Sequence, residues 1–212
     1  MKIEVWSDYV CPFCYIGKRK LEKALIETGL KDSAEVIYKS FQLDPNSPET
    51  SEHTMASAVA AKYGISLEEA KASNANIAAA AKEVGLDYDF DAMRPGNTFN
   101  AHRLAKWAEE SGKGAEITEN LLRGYFTEGR EIGRKEVLAD IAEETGLDRQ
   151  SALDVLESNR YGADVKGDIG EAAALGVQGV PFFVLNRKYA ISGAQPDELF
   201  RSALEKAASE EK

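Results

Sequence analysis

The pattern of hydrophobic and polar positions changes along the chain, and its first part predicts a strand, a helix and a second strand. Residues 2–7 (KIEVWS) alternate and are rich in residues that favour strands. Pro12 suits the first turn of a helix, and apolar or small residues then recur at spacings of three and four as far as Thr28. Residues 35–41 (EVIYKSF) return to alternation. The opening of the chain therefore predicts a βαβ unit.

The middle of the chain is rich in alanine, glutamate and lysine and shows no alternating pattern. It follows the loop signal LDPNSPET, and glycines and a Pro-Gly pair divide it into segments with helical periodicity. These segments predict a block of helices without strands. Their residues are 52–63, 67–84, 98–111, 115–127, 134–145 and 149–174.

Strand patterns return only near the end of the chain. Residues 182–185 (FFVL) and 189–191 (YAI) predict two short strands, and Asn186-Arg187 between them can turn the chain. Pro196 then opens a last amphipathic helix. We expect the two strands to form an antiparallel hairpin, so that the chain has an α/β fold in the order βαβ, helical insertion, ββα.

Composition and charge exclude several classes of partner. The 212 residues include 36 acidic and 26 basic side chains, and the resulting net charge of −10 repels phosphate backbones and anionic membrane surfaces. The N-terminus lacks the apolar run of a signal peptide, and no segment has the apolar length needed to cross a bilayer. We therefore expect a cytoplasmic protein whose partners include neither nucleic acid nor a membrane. These features leave its oligomeric state open.

The chemistry of the chain is expected at its only two cysteines, in the sequence Cys11-Pro12-Phe13-Cys14. With Pro12 in the first helical turn, Cys11 is at the N-cap and Cys14 lies three residues on, on the same side, so the sulfurs can meet. Free N–H groups and the helix dipole stabilise a thiolate at Cys11, which we expect to be open to solvent, whereas Cys14 is more shielded. This geometry predicts that Cys11 attacks a disulfide and that Cys14 resolves the product.

Two other interpretations of the cysteine pair are weaker. A structural zinc site needs four ligands, and the chain has only His53 and His102 besides the two thiols, both in the helical block, so zinc would have to be shared across a dimer. A structural disulfide would close so short a loop that it would restrain the unfolded chain very little. We therefore expect redox chemistry and no metal site.

Three motifs resemble the DsbA family of thioredoxin-fold oxidoreductases, and within it the cytoplasmic FrnE-like branch. The motifs are SDYVCPFCYIGK, NTFNAHRLAKWA and GVPFFVLNRKYAISGAQ, and the resemblance spans essentially the whole chain. It implies a thioredoxin-like fold with a large helical insertion. Residues 1–45 and 176–212, with part of the helix before 176, would form the thioredoxin-like domain, and residues 50–165 the inserted helical domain.

The resemblance also assigns residues to the site. It implies that Pro181 is cis and faces the cysteines, so that the backbone of Val180 is exposed to pair with an extended substrate; a trans proline at a strand start is the alternative. Pro12 and Phe13 would tune the cysteines, although the founding periplasmic members have histidine where Phe13 stands. Some FrnE-like proteins carry a further C-terminal cysteine pair, which this chain lacks.

His102, in NTFNAHRL, is a candidate for an acid–base or substrate-contact role. The alternative for this histidine is that it packs or forms a hydrogen bond within its helix.

The sequence thus predicts a thiol–disulfide oxidoreductase that acts on protein thiols and disulfides as an oxidase, reductase or isomerase. No tightly bound cofactor is expected, and glutathione or another dithiol reductant would be the redox partner. One alternative is a glutathione-dependent isomerase or transferase of the hydroxychromene carboxylate isomerase or kappa type, whose members typically have serine where Cys11 stands. Another is a chaperone that binds polypeptides without using its thiols.

Overall fold

The computed structural model describes residues 1–210, which form four strands and nine helices. The strands are β1 (Lys2–Ser7), β2 (Glu35–Ser40), β3 (Phe182–Leu185) and β4 (Tyr189–Ser192). The helices are α1 (Pro12–Glu27), α2 (Met55–Tyr63), α3 (Leu67–Glu83), α4 (Phe99–Glu109), α5 (Gly114–Phe126), α6 (Lys135–Glu144), α7 (Arg149–Glu157), α8 (Gly162–Ala174) and α9 (Asp197–Ser209).

The four strands form one mixed sheet in the order β2-β1-β3-β4. β1 pairs with β2 in parallel and with β3 in antiparallel orientation, and β3 and β4 form an antiparallel hairpin. The hairpin turns at Asn186 and Arg187, whose φ angles of 49° and 57° are left-handed, as tight hairpin turns require. The predicted βαβ unit and the C-terminal hairpin are both confirmed.

Helices cover both faces of the sheet. On one face, Ile3 and Val5 of β1 and Phe183 of β3 pack with apolar residues of α1 and α9, and the ring of Phe183 meets that of Phe200 edge to face, with centroids 5.0 Å apart. On the other face, Trp6 packs with residues that include Ala172 of α8. Because both faces are buried, β1 is buried along nearly its whole length.

The chain divides into two compact units, each described here by itself. The sheet unit contains residues 1–43 and the chain from Val165 onward, and the helical unit contains Asp44–Asp164. Within the helical unit, α4, α5, α6 and α7 pack on one another, and α2 packs on α3. Side-chain caps mark the predicted starts of α3 and α7: Ser66 and Glu69 form a reciprocal capping box at α3, and Asp148 caps α7.

The single helix predicted over residues 149–174 is wrong, because two helices, α7 and α8, occupy this range. Helix α7 ends at Glu157, the backbone of Ser158 after it is extended, and Tyr161 has a left-handed φ of 62°. The buried guanidinium of Arg103 donates to the carbonyls of Val155, Ser158 and Arg160. These carbonyls lie at or just beyond the end of α7, and the Arg103 side chain of α4 supplies their hydrogen bonds. Sequence periodicity does not reveal this contact between two helices.

None of the helices formed by residues 1–210 is both long enough and apolar enough to span a bilayer.

Candidate functional site

The two cysteines lie between the end of β1 and the first turn of α1. Cys11 is the N-cap residue of α1, with φ −88° and ψ 112°, and Pro12 follows it in the first turn. The N–H of Cys14 donates to the carbonyl of Cys11 at 3.0 Å. This confirms the predicted position of the motif, where free N–H groups and the helix dipole favour negative charge.

The two sulfurs are neighbours, and each has a further partner. Both cysteines are free thiols, and the Cys14 side chain hydrogen-bonds with that of Cys11. The Cys11 S–H donates to the Val180 carbonyl at 3.4 Å, and the Asp8 N–H donates to Cys14 Sγ at 3.5 Å. The contact between the sulfurs is what a disulfide between Cys11 and Cys14 requires.

The Cys14 thiol lies in surroundings that oppose its ionisation. Burial raises the pKa of Cys14 well above its ordinary value, and the hydrogen bond with Cys11 and the charge of Cys11 raise it further. Hydrogen bonds from the Ser7 hydroxyl and the Asp8 amide lower the pKa of Cys14 and thus act in the opposite direction. Cys14 therefore stays protonated unless a reaction step or a donor stabilises its anion.

Both cysteines are buried, which corrects the expectation that Cys11 is open to solvent. Cys11 is 4% exposed and Cys14 is 3% exposed, whereas Phe13 between them is 44% exposed. The physical reason is that the Cys11 thiol turns towards the Val180 carbonyl instead of outwards. The motif therefore presents the Phe13 ring to solvent, while both thiols are buried.

Val180 and Pro181 lie beside Cys11, as the resemblance implied. The Val180–Pro181 peptide bond is cis, which confirms that prediction. The Pro181 carbonyl accepts the N–H of Gly193 at 2.8 Å, which ties this segment to the end of β4. Gly17 of α1 lies against the same segment, since a Cβ on Gly17 would be 3.0 Å from Pro181 Cγ. Only glycine allows α1 to approach Pro181 this closely.

Two residues that the sequence reasoning did not single out, Ser7 and Asp8, also touch the site. Both are buried, Asp8 completely. The Asp8 carbonyl accepts the N–H of Cys11 at 3.1 Å, and its carboxylate accepts the N–H of Leu43 at 2.8 Å. The available signal was a Ser-Asp pair at the end of the predicted strand, with Asp8 three residues before the first cysteine.

The two histidines lie in the helical unit. His102 is a buried residue of α4, and its backbone N–H donates to the Thr98 carbonyl at 3.0 Å. His53 is exposed and lies before the start of α2. Among residues 1–210, the structure has no group of three or more His, Cys, Asp or Glu side chains that could hold a metal ion. A functional role for His102 stays a prediction.

Comparisons with known proteins identify the family. Residues 2–205 match the DSBA-like thioredoxin domain family. The chain is 31% identical over 205 residues to the uncharacterized protein YwbO of Bacillus subtilis (strain 168), an alignment that covers 95% of this chain and 94% of YwbO.

Two solved structures are similar over nearly the whole chain. The probable DsbA oxidoreductase SCO1869 from Streptomyces coelicolor is 40% identical with a TM-score of 0.94, covering 99% of this chain and 91% of that one. The cytosolic disulfide reductase DsbM from Pseudomonas aeruginosa, solved with GSH, is 18% identical with a TM-score of 0.69, covering 99% and 100%, a likeness that shows the fold. These findings confirm the predicted fold class, while the FrnE-like branch stays a prediction. The chain belongs to the DSBA-like thioredoxin domain family of oxidoreductases.

Proposed function

We propose that this protein is a thiol–disulfide oxidoreductase for protein disulfides, in which Cys11 attacks and Cys14 resolves. The observation that carries this proposal is the hydrogen bond between two free thiols at the first turn of α1, beside the Val180–Pro181 segment. Cys11 is the N-cap residue of α1 and lies beside the Val180 carbonyl, and this position supports its role as the attacking group. Pro12 and Phe13 set the spacing and the surroundings of the two sulfurs.

The reaction needs two displacement steps. The Cys11 thiolate attacks one sulfur of a substrate disulfide, a Cys11–substrate disulfide forms, and the other substrate sulfur leaves as a thiolate that takes up a proton. Cys14 then loses its proton and attacks Cys11 Sγ, which releases the second substrate thiolate and forms the Cys11–Cys14 disulfide. The substrate disulfide is reduced by two electrons, and the protein dithiol is oxidised by two.

The backbone at Val180 is the proposed substrate contact. In the free protein its carbonyl accepts the Cys11 S–H. An extended substrate strand can donate a backbone N–H to this carbonyl, as in strand addition at a sheet edge, and would thereby release the Cys11 thiol for attack. Substrate binding and opening of the buried sulfur would then be the same event.

Regeneration requires a thiol reductant, for which we propose glutathione. Two glutathione thiols would reduce the Cys11–Cys14 disulfide and leave as glutathione disulfide, which balances the two electrons. The similar fold of DsbM, solved with GSH, supports this choice. The sequence predicts the cytoplasm as the compartment. The reducing potential of the glutathione pool there would favour reduction or isomerisation of protein disulfides over oxidation of protein thiols.

The test is to trap substrates with Cys14→Ala, in which the disulfide on Cys11 cannot be resolved. Cells that express this variant under disulfide stress should yield protein adducts on Cys11 that a reductant releases and mass spectrometry identifies. The matched control is the double variant Cys11→Ala, Cys14→Ala, which should capture nothing. An absence of adducts on Cys14→Ala, or equal capture by the double variant, would count against the proposed function.

A further inference from the structure

Two hydrogen-bond donors at this site, from Ser7 and Asp8, converge on the Cys14 sulfur. The Asp8 N–H donates to Cys14 Sγ at 3.5 Å, and the Ser7 hydroxyl forms a hydrogen bond with the same sulfur. The Cys11 thiol, by contrast, is itself a donor, to the Val180 carbonyl. The sulfur assigned to the second step therefore has two neighbouring donors from consecutive residues.

The fold holds both donors in place. Ser7 is the last residue of β1, where it pairs with Ser40 of β2. Its backbone carbonyl accepts the N–H of Phe41 at 3.1 Å. Asp8 is anchored through its carboxylate, which accepts the N–H of Leu43, and through its carbonyl, which accepts that of Cys11. Because these backbone and side-chain contacts fix the two residues, the donors are already oriented before any reaction occurs.

These two donors matter for the second displacement step, in which Cys14 attacks Cys11. Attack by Cys14 requires its thiolate in a buried position, where ionisation is unfavourable without donors aimed at the sulfur. During the first step Cys14 stays protonated, so donors to its sulfur contribute less to attack by Cys11 than to the later attack by Cys14. The stabilisation that Ser7 and Asp8 supply is therefore selective for resolution.

We propose that the Ser7 hydroxyl and the Asp8 amide together stabilise the Cys14 thiolate as it displaces the substrate sulfur from Cys11. This assignment rests on the proposed function. In the step, the Cys14 proton goes to solvent or to the thiolate released earlier, the Cys14–Cys11 bond forms, and the Cys11–substrate bond breaks with its electron pair leaving on the substrate sulfur. Ser7 keeps its own proton throughout and acts as a donor.

Ellman's reagent, an aromatic disulfide with a coloured product, separates the two steps in one experiment. Attack by Cys11 on the reagent releases one coloured thiolate, and resolution by Cys14 releases a second. In stopped-flow measurements on the reduced protein, we expect Ser7→Ala to leave the first phase within about twofold of the wild type and to slow the second about tenfold, the order expected for losing one hydrogen bond to a charged group. The midpoint of the second phase should also move to higher pH, because the thiolate has lost a donor.

Ser40→Ala is the matched control, since Ser40 is a buried serine paired directly with Ser7 across β1 and β2. Both of its phases should match those of the wild type. Ser7→Thr and Ser7→Val form a second pair that differs only in a hydroxyl against a methyl group, and both are well tolerated in a strand. Threonine should keep the fast second phase and valine should lose it, which tests the donor even where the alanine variant fails to fold.

Three results would overturn the assignment: an unchanged second phase in Ser7→Ala and Ser7→Val, an equal slowing of both phases, or the same slowing in Ser40→Ala. A wild-type protein that releases no second thiolate at all would instead reject the dithiol mechanism, and with it the proposed function.

Discussion

Buried polar side chains of the sheet unit gather beside the cysteines and in ion pairs on the sheet, whereas several of those in the helical unit serve helix ends. Ser7 and Asp8 contact Cys14 in the sheet unit. In the helical unit, the Arg103 guanidinium donates to carbonyls at the end of α7, and the Thr145 hydroxyl donates to the Ile141 carbonyl at the end of α6. The difference follows from backbone hydrogen bonding, because strand pairing satisfies the interior of the sheet, while every helix leaves orphan groups at its ends.

The two units also differ in charge. Residues 44–164 contain 23 acidic and 13 basic side chains, and the remaining residues contain 13 of each. The net charge of −10 therefore lies entirely on the helical unit, and the unit that carries the cysteines is neutral. The net charge of its own unit thus supplies no long-range attraction or repulsion for a charged molecule at Cys11.

The largest effect on stability is expected at Arg103. Arg103→Met keeps the apolar stem but removes the donors to the Val155, Ser158 and Arg160 carbonyls. Because each buried polar group left unpaired costs about 1–3 kcal/mol, the free energy of unfolding should fall by about 3–5 kcal/mol in urea titrations. The rates of both Ellman phases should be unchanged in the folded fraction, since this arginine serves a helix end.

Arg134→Met is the control for this prediction, because Arg134 is half exposed and pairs with Glu131 on the surface. It should change the free energy of unfolding by no more than about 0.5 kcal/mol. If Arg103→Met lowered the free energy of unfolding by less than about 1 kcal/mol, the view that this side chain stabilises the end of α7 would be contradicted.

A smaller effect on stability, with an effect on chemistry, is expected at Gly17. The Cβ of Gly17→Ala would lie 3.0 Å from both Pro181 Cγ and Phe183 Cζ, so α1 or the Val180–Pro181 segment must shift. We expect overpacking to lower the free energy of unfolding by about 1–3 kcal/mol. The first Ellman phase should also change, because Cys11 and Val180 lie on the two elements that move apart.

Gly167 in α8 provides the comparison, since a Cβ there meets no heavy atom within 4 Å. Gly167→Ala should be neutral or stabilise the protein by up to about 1 kcal/mol, as alanine does in a helix interior. Equal stability and equal kinetics in the two alanine variants would show that the close approach at Gly17 has no consequence.

The smallest effect is expected from the ion pairs that connect α8 to the sheet. Glu171 lies 2.7 Å from Arg187 and 3.2 Å from Lys39. The pKa of Glu171 is lowered, first by the hydrogen bond from Arg187 and also by the one from Lys39, while burial acts in the opposite direction. A lowered pKa stabilises the fold above the ordinary pKa of 4.5, and this contribution is lost as the pH falls through the lower folded value.

Glu171→Gln should therefore be less stable than the wild type near neutral pH, by less than about 1 kcal/mol because the pair is partly exposed to solvent. The difference should vanish in acid and shrink at high salt. The control is Glu198→Gln, whose carboxylate is mostly exposed and 4.0 Å from Arg201, and which should lower stability near neutral pH by less than Glu171→Gln does. A difference that persists below pH 3, or that grows on acidification, would contradict the sign of this linkage.

Features that depend on neighbouring residues were readable from the sequence alone. The strands Lys2–Ser7 and Phe182–Leu185 lie where alternation and apolar runs predicted them, and α1 begins at Pro12 as the proline indicated. The turn at Asn186 and Arg187 was likewise predicted from its place between two strands, and the structure adds that both residues have left-handed φ angles. In each case the determining interaction is within a few residues, so the local pattern is sufficient.

Features that depend on distant residues were not readable. The helical period continues through residues 149–174, but Arg103, some fifty residues earlier, ends α7 inside that range. The burial of Cys11 depends on the Val180 carbonyl, 169 residues away, and so no inspection of the motif reveals it. The Asp8 carboxylate likewise accepts the N–H of Leu43, 35 residues away, a contact that only folding brings about.

The sequence by itself thus determined the strands, the start of α1, the order of the elements in the sheet unit and the two sulfurs that we propose carry the chemistry. Tertiary structure decided how accessible those sulfurs are, which donors reach the second one, and where one helix ends. The physical reason is that periodicity and capping are short-range, whereas burial and the partners of a buried polar atom are set by residues that only folding brings together.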